Sequence, residues 1–431
     1  MPEHTSQEQQ LLEKAARYFP GGTGGNTSYP IDLQFLIKEG RGSHIWDVSG
    51  NRYIDWMMGS GPMILGHAHP AVTAAVTEAV GQGSTFFSIN EKAVLLAEEL
   101  VNAVPCAEKV RFTTSGTDAC FQAMRICRAF TGKEKILKFE GGFHGTSDYA
   151  VMSVTPSAAL EFPQAVANSG GVPRALQDLM LISQYNDLDT TTAIIEAHHS
   201  ELAAVIVEPL QRVIAPLPGF LQGLRDLTDK YQIPLIFDEV VTGFRLSYSG
   251  AQGHYGVTPD LCSVGKIMGG GYPLAAVMGR ADIMSVYDQQ VADSDDYVGQ
   301  IGTLNGNPIA CAAGLATLAE LRKEGAYEKL RSTGQAVRQA LVDTCADNGI
   351  PAQSSGDDAI FDVFFTDQPV RNYRDGMAAD SQMMVKFNMG MLAQGVLKSS
   401  PMKFYPSLAH TDEDIEQTIE ACKIVVPTLR G

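Results

Sequence analysis

The segment 233–273 constrains this chain more than any other. An apolar run, Ile233-Pro234-Leu235-Ile236-Phe237, ends in Asp238-Glu239 and continues as Val240-Val241-Thr242-Gly243-Phe244-Arg245. A second run, Leu261-Cys262-Ser263-Val264-Gly265-Lys266-Ile267-Met268, stops at the triple glycine Gly269-Gly270-Gly271 before Tyr272-Pro273. Short apolar runs bounded by turn signals read as buried strands. An ionised carboxylate at a buried strand end is costly unless a cation or hydrogen-bond donors meet it. The 28 positions from Asp238 to Lys266 suit two neighbouring strand ends in an α/β sheet with a short excursion between them.

Other segments repeat the pattern. Strands are expected at 109–113, 136–139, 179–183, 204–208 and 275–279, with helices at 91–104, 117–130, 189–197 and 220–231 between them. Such alternation implies a mostly parallel sheet covered on both faces. Ligands in such sheets bind beyond the carboxyl ends of the strands, where Ser115, Phe143, Glu208, Asp238 and Lys266 all fall. The stretch 302–308 precedes a long helix from 309 and marks the start of a last, mixed region. Helices at 327–348, 380–394 and 412–428 and a strand at 360–365 make up that region.

A buried carboxylate and a buried lysine on adjacent strand ends suit pyridoxal phosphate. The carboxylate keeps a proton on its pyridine nitrogen and the lysine holds its aldehyde as a Schiff base. A dry, partly cationic pocket also depresses a lysine's pKa, which lets it move a proton. Taken singly, Asp238 reads as a turn acid or helix cap and Lys266 as a solvated lysine. Together, each ending an apolar run, they favour the cofactor. At Thr114-Ser115-Gly116-Thr117-Asp118, backbone N–H groups, hydroxyls and a helix dipole converge on one point. This makes an anion site, with an ordinary helix cap as the alternative. Phe143, in Glu140-Gly141-Gly142-Phe143-His144-Gly145, can stack on a planar ring or pack into the core.

Composition excludes several classes. With 45% hydrophobic and 19% charged residues the chain is an ordinary globular enzyme. A net charge of −17 argues against nucleic acid and against an anionic membrane surface. Seven cysteines without a Cys-x-x-Cys pair suggest reduced thiols in a cytoplasmic setting, and no signal-peptide or membrane-spanning pattern is expected. No second cluster completes a metal site with His67 and His69, so no metal is expected. The glycine-rich loop from Gly21 to Ser28 either turns or wraps a ligand.

Several motifs in this order carry a family likeness: Pro20-Gly21-Gly22, the stretch from Gly61-Pro62-Met63 to Gly66-His67, Ser115-Gly116-Thr117, Phe143-His144-Gly145, Asp238-Glu239-Val240 with Thr242-Gly243-Phe244-Arg245, Gly265-Lys266, and Gly302-Thr303 with Gly306-Asn307-Pro308. Over nearly its whole length the chain resembles the class III pyridoxal-phosphate aminotransferases. Within them it is nearest to glutamate-1-semialdehyde aminomutase and its aminotransferase relatives. The resemblance implies fold type I: an N-terminal segment (1–60), a large cofactor-binding domain around a seven-stranded mostly parallel sheet (61–308), and a small C-terminal α+β domain (309–431). It also implies a homodimer with active sites at the interface.

By that resemblance Lys266 forms the Schiff base, Asp238 pairs with the pyridine nitrogen, and Val240 and Phe143 sandwich the ring. Ser115, Gly116 and Thr117 hold the phosphate, His144 and Glu208 line the cofactor site, and Thr303 reaches the neighbouring subunit's phosphate. The departures concern substrate. The aminomutase's carboxylate-binding arginine falls near Ser28, its pocket glutamate near Met402, and an expected aromatic near Ser60. A serine cannot replace bidentate carboxylate recognition by a guanidinium. Met57, Met58, Phe86, Phe87 and Met402 are candidates for an apolar substrate pocket, with core packing as the alternative. Arg245 is a candidate carboxylate ligand or a structural residue. The expected activity is ping-pong transfer of an amino group between an amine or amino acid and a keto acid, ketone or aldehyde. An aminomutase or another isomerase is the alternative.

Overall fold

The computed structural model describes residues 4–25, 34–398 and 403–430. Ser28 and Met402 lie outside the described residues. Within them are thirteen strands: β1 (Ile37–Arg41), β2 (His44–Asp47), β3 (Arg52–Asp55), β4 (Lys109–Thr113), β5 (Lys135–Phe139), β6 (Met180–Ser183), β7 (Leu202–Val207), β8 (Leu235–Glu239), β9 (Leu261–Val264), β10 (Ala275–Gly279), β11 (Gln353–Asp357), β12 (Ile360–Phe364) and β13 (Val396–Leu397).

Seven of these form one sheet in the order β4-β10-β9-β8-β7-β5-β6. β10 runs antiparallel to its neighbours β4 and β9, and the remaining pairings are parallel. Every residue of β7, β8, β9 and β10 is buried, as continuous apolar runs require when helices cover both faces. Side chains alternate between two cores. Ile136, Ile206 and Ile236 pack with helix Gly116–Thr131, while Leu137, Val205 and Phe237 pack with helices Glu91–Ala103 and Phe220–Tyr231.

The second apolar run is shorter as a strand than its sequence suggests. β9 ends at Val264, Gly265 is extended, and Lys266 to Gly269 form a 3₁₀ turn with Lys266 at φ 48°. A left-handed non-glycine residue costs roughly 1 kcal/mol or more, and here it takes the lysine off the sheet. Asp238, by contrast, is within β8, opposite Ser263 of β9. Glu239 beside it is wholly structural, because its carboxylate accepts from Thr242, the Ala251 and Gln252 amides and the Gln252 side chain.

The two ends of the chain share structure. β1, β2 and β3 form an antiparallel meander, and the two-residue β13 adds in parallel to β3. Ile54 and Trp56 enter the core built by helices Ala326–Asp347, Ser381–Ala393 and Asp412–Val425. Arg245 is fully buried, donating to the carbonyls of Ala359 (3.0 Å), Pro406 (3.1 Å) and Gly61 (2.6 Å). It joins three distant segments and is a structural tie rather than a ligand for substrate. His67 likewise pairs with Asp55 at 2.7 Å.

His410 gives this region a measurable pH response. Its ring stacks on Trp56 at 3.9 Å, and Nδ1 accepts from the Ser407 amide and hydroxyl. Burial pushes its pKa down to about 4. The unfolded chain therefore binds this proton more readily, so the His410 contribution is full above about pH 6.5 and declines as pH falls from 6.5 through 4. We expect a loss on the order of 3 kcal/mol across that window, read by urea unfolding. His410→Gln should unfold with a flatter pH slope there, and an unchanged slope would refute the assignment.

Candidate active site

A cavity of about 880 Å³ opens at the carboxyl ends of the parallel strands. Its size lies within the roughly 300–1,000 Å³ of small-molecule and cofactor pockets. Ser115, Gly116, Thr117, Phe143, His144, Glu208, Asp238, Val240, Lys266 and Ser60 all line it. These residues come from the ends of β4, β5, β7, β8 and β9 and from the loop after β3. Parallel strands bring their carboxyl ends to one edge, so residues separated by up to 206 positions in sequence (Ser60 to Lys266) meet on one wall.

Asp238 is the most tightly controlled group. Oδ2 accepts from His144 Nδ1 at 2.7 Å and from the Cys120 thiol at 3.2 Å, and Oδ1 accepts from the Val240 amide at 3.1 Å. Burial by itself would raise its pKa. The His144 hydrogen bond and charge, with the Val240 and Cys120 contacts, more than offset this and hold the carboxyl below its usual range. Asp238 is therefore a buried anion facing a cavity. Lys266 is its counterpart: burial pushes the ammonium below the ordinary lysine range, Lys403 adds to that push, and Tyr405 and Asp238 oppose it. Among the described residues, Lys266 has no hydrogen bond or ion pair.

The anion cradle is formed where helix Gly116–Thr131 begins. Ser115 caps it by accepting from the Asp118 amide, leaving the first-turn amides directed at the cavity. Glycine is required at 116 by close approach, since a Cβ there would lie 2.8 Å from Val240 Cγ1. Gly145, at φ 94°, lies against Thr117, where a Cβ would be 2.5 Å from Cα. The 142–152 loop that carries Phe143 and His144 is anchored by Lys138, whose buried ammonium donates to the carbonyls of Gly142, Ala150 and Met152.

Other expected residues lie elsewhere. Met58, at φ 47°, turns into the main core and is fully buried, whereas its neighbour Met57 lines the cavity. Phe86 and Phe87 are exposed and absent from the cavity wall, because the 84–90 loop runs over the surface. Thr303 is exposed and outside this subunit's cavity. The glycine loop does reach the site, with Gly22, Thr23, Gly24 and Gly25 at its mouth. Cys120, Arg212, Lys403 and Tyr405 also line the cavity, and no sequence motif marks them. None carries a local signal, since each is placed by packing between distant segments. The Tyr405 ring packs against Gly61, where a Cβ would lie 2.8 Å from Cε1, supplying from the C-terminal region an aromatic ring that the Ser60 segment lacks.

These features fit pyridoxal phosphate on this chain's own geometry: an unpartnered buried lysine, a buried carboxylate held anionic, and a helix N-terminus made approachable by glycine. The sheet order and this site define a pyridoxal-phosphate-dependent transferase of fold type I. The chain belongs to the class-III aminotransferase family, whose model matches residues 27–426. It is 42% identical over 428 residues to glutamate-1-semialdehyde 2,1-aminomutase 2 of Brevibacillus brevis, covering 96% of each chain. An omega-transaminase from Sphaerobacter thermophilus superposes with a TM-score of 0.94 at 33% identity, covering 100% of this chain and 99% of that one. A transaminase solved with pyridoxal phosphate bound superposes with a TM-score of 0.90 at 26% identity, covering 99% of both. The protein is a pyridoxal-phosphate-dependent enzyme. Among the described residues no helix is long and apolar enough to cross a membrane.

The contact between His144 and Asp238 yields a direct test. His144→Leu removes the donor that offsets burial, so the Asp238 carboxyl should titrate at higher pH and hold a cationic nitrogen less well. We expect cofactor affinity at neutral pH to fall by about 10-fold or more, the scale of one charge-assisted hydrogen bond. Titration of the apoprotein with pyridoxal phosphate, followed by absorbance, measures it; unchanged affinity would show that Asp238 does not depend on His144.

Proposed function

We propose that the protein is an aminotransferase working in two half-reactions, an amino donor leaving as its carbonyl compound before a keto acid, ketone or aldehyde enters. The observation that carries this reading is the pairing of an unpartnered Lys266 with an anionic Asp238 in a cavity large enough for more than the cofactor. Pyridoxal phosphate bound there supplies an electron sink that weakens the C–H bond at the amine-bearing carbon. Lys266 Nζ would hold its aldehyde, and the Asp238 carboxylate would pair with its pyridine nitrogen. Ser115, Gly116 and Thr117 would hold its phosphate, and Val240 and Phe143 would flank its ring. Burial pushes Lys266 below the ordinary lysine range, which would suit its Nζ to move a proton at the amine-bearing carbon of a donor.

An aminomutase is the second reading, favoured by the 42% identical relative that bears that name. The two differ in whether the amino group leaves with a different molecule. Adding single amino compounds without acceptor and following the cofactor's absorbance separates them. Stable bleaching with release of the matching carbonyl compound is expected. Turnover confined to a diamino or amino-aldehyde compound, with no bleaching by simple donors, would replace the first reading by the second.

The working unit of this reading is a homodimer in a reducing, cytoplasmic compartment. All seven cysteines are free and buried, which suits that setting. Phe86, Phe87, Ile89, Ile301 and Leu304 are exposed, and Asn90 Nδ2 joins their two loops by donating to the Gly306 carbonyl at 2.8 Å. An exposed apolar group of this kind needs a covering surface. It lies beside Thr303, the residue expected to serve a neighbouring cofactor. Light scattering should give the mass of two chains; a single-chain mass for an active sample would remove the shared-site reading.

A further inference from the structure

Besides Lys266, two cations on the cavity wall have no ion-pair partner among the described residues, and neither belongs to the cradle at Ser115–Thr117. Lys403 is 7% exposed, yet among the described residues its ammonium makes no hydrogen bond or ion pair. Its Nζ lies 5.9 Å from the Tyr405 ring centroid. Two other deeply buried lysines are fully served: Lys138 by three carbonyls, and Lys398 by Asp362 at 2.8 Å and Asn388 at 3.0 Å. Lys403 differs from both in facing a cavity. A buried ammonium without a partner is costly. Burial accordingly pushes its pKa down to about 8, with Glu208 opposing and Arg212 adding to the push.

Arg212 is the second cation. Its Nε donates to the Gly141 carbonyl at 3.2 Å, and its guanidinium lies 4.9 Å from the Phe143 ring centroid, with no carboxylate paired to it. Its backbone adopts φ 60°, a conformation that few non-glycine residues take without a reason. The nearby carboxylate, Glu208, is already occupied, accepting the Phe143 amide at 2.6 Å and the Arg212 amide at 3.0 Å. The cofactor's phosphate has its own cradle. Neither cation forms an ion pair with Glu208 among the described residues, so an anionic ligand at this wall would meet both.

We propose that Lys403, reinforced by Arg212, receives the carboxylate of the substrate, so that this enzyme takes a carboxylic acid as donor or acceptor in preference to a simple amine or aldehyde. This rests on the aminotransferase reading of the cavity. Lysine offers a single point charge on a flexible stem, so the site should accept carboxylates at more than one distance from the reacting carbon.

The test compares pyruvate with propanal as acceptors, and propanoate with propanamide as unreactive ligands of the holoenzyme measured by calorimetry. For Lys403→Met we expect the KM for pyruvate to rise about 10- to 100-fold, the range of a charge-assisted hydrogen bond, while propanal changes less than about 2-fold. Lys403→Arg should recover part of the loss. Wild type should bind propanoate and not propanamide, and the variant should bind neither. Equal losses for both acceptors, or no loss for pyruvate, overturn the proposal. Calorimetry needs no turnover. Propanoate binding that depends on Lys403 in a protein that transaminates nothing would uphold this site and remove the aminotransferase reading. Transamination by an enzyme that binds propanoate no better than propanamide would do the reverse. Should Lys403→Met fail to fold, the wild-type comparison of the two ligands decides alone.

Discussion

The pairing of β8 with β9 is the constraint on which the rest of the site depends. Parallel, fully buried neighbours bring Asp238 and the turn bearing Lys266 to one edge of the sheet. A buried carboxylate there stays anionic only because His144, Cys120 and the Val240 amide supply hydrogen bonds. His144 in turn depends on the loop that Lys138 holds with three bonds to carbonyls. The electrostatics of the cavity therefore rest on a chain of buried polar contacts, some between side chains and some to backbone, that links neighbouring strand ends and their loops.

The cavity carries charge in two zones of different kind. Around Asp238 the carboxylate's acceptors are met within the chain, while the first-turn amides of helix Gly116–Thr131 are left directed at the cavity, as suits a surface preorganised for one ligand. Around Lys403 and Arg212 the cations have no ion-pair partner among the described residues. Unmatched charge in a pocket is costly to the empty protein and favours ligands that complete it. Family membership accounts for the first zone.

The small C-terminal region does more than cap the fold. β13 adds to the N-terminal meander, Trp56 sits in the C-terminal core, and Arg245 joins carbonyls at 61, 359 and 406. Through these ties the segment carrying Lys403 and Tyr405 is fixed against the Ser60 loop and the strand ends.

The sequence by itself determined the repeating strand and helix pattern, the mostly parallel sheet, and the positions of Asp238, Lys266 and the helix start at Gly116. These are legible because burial on both faces forces continuous apolar runs, and because a charged residue ending such a run stands out against them. Two-residue β13, the turn that flips Met58 into the core, and the exposure of Phe86 and Phe87 were not legible. In each, one or two backbone angles or a distant partner decide the outcome, and neither leaves a periodic trace. Only the tertiary structure brought Lys403, Arg212 and Tyr405 to the cavity, because side chains that meet across 150 or more positions are paired by packing, which the local sequence does not record.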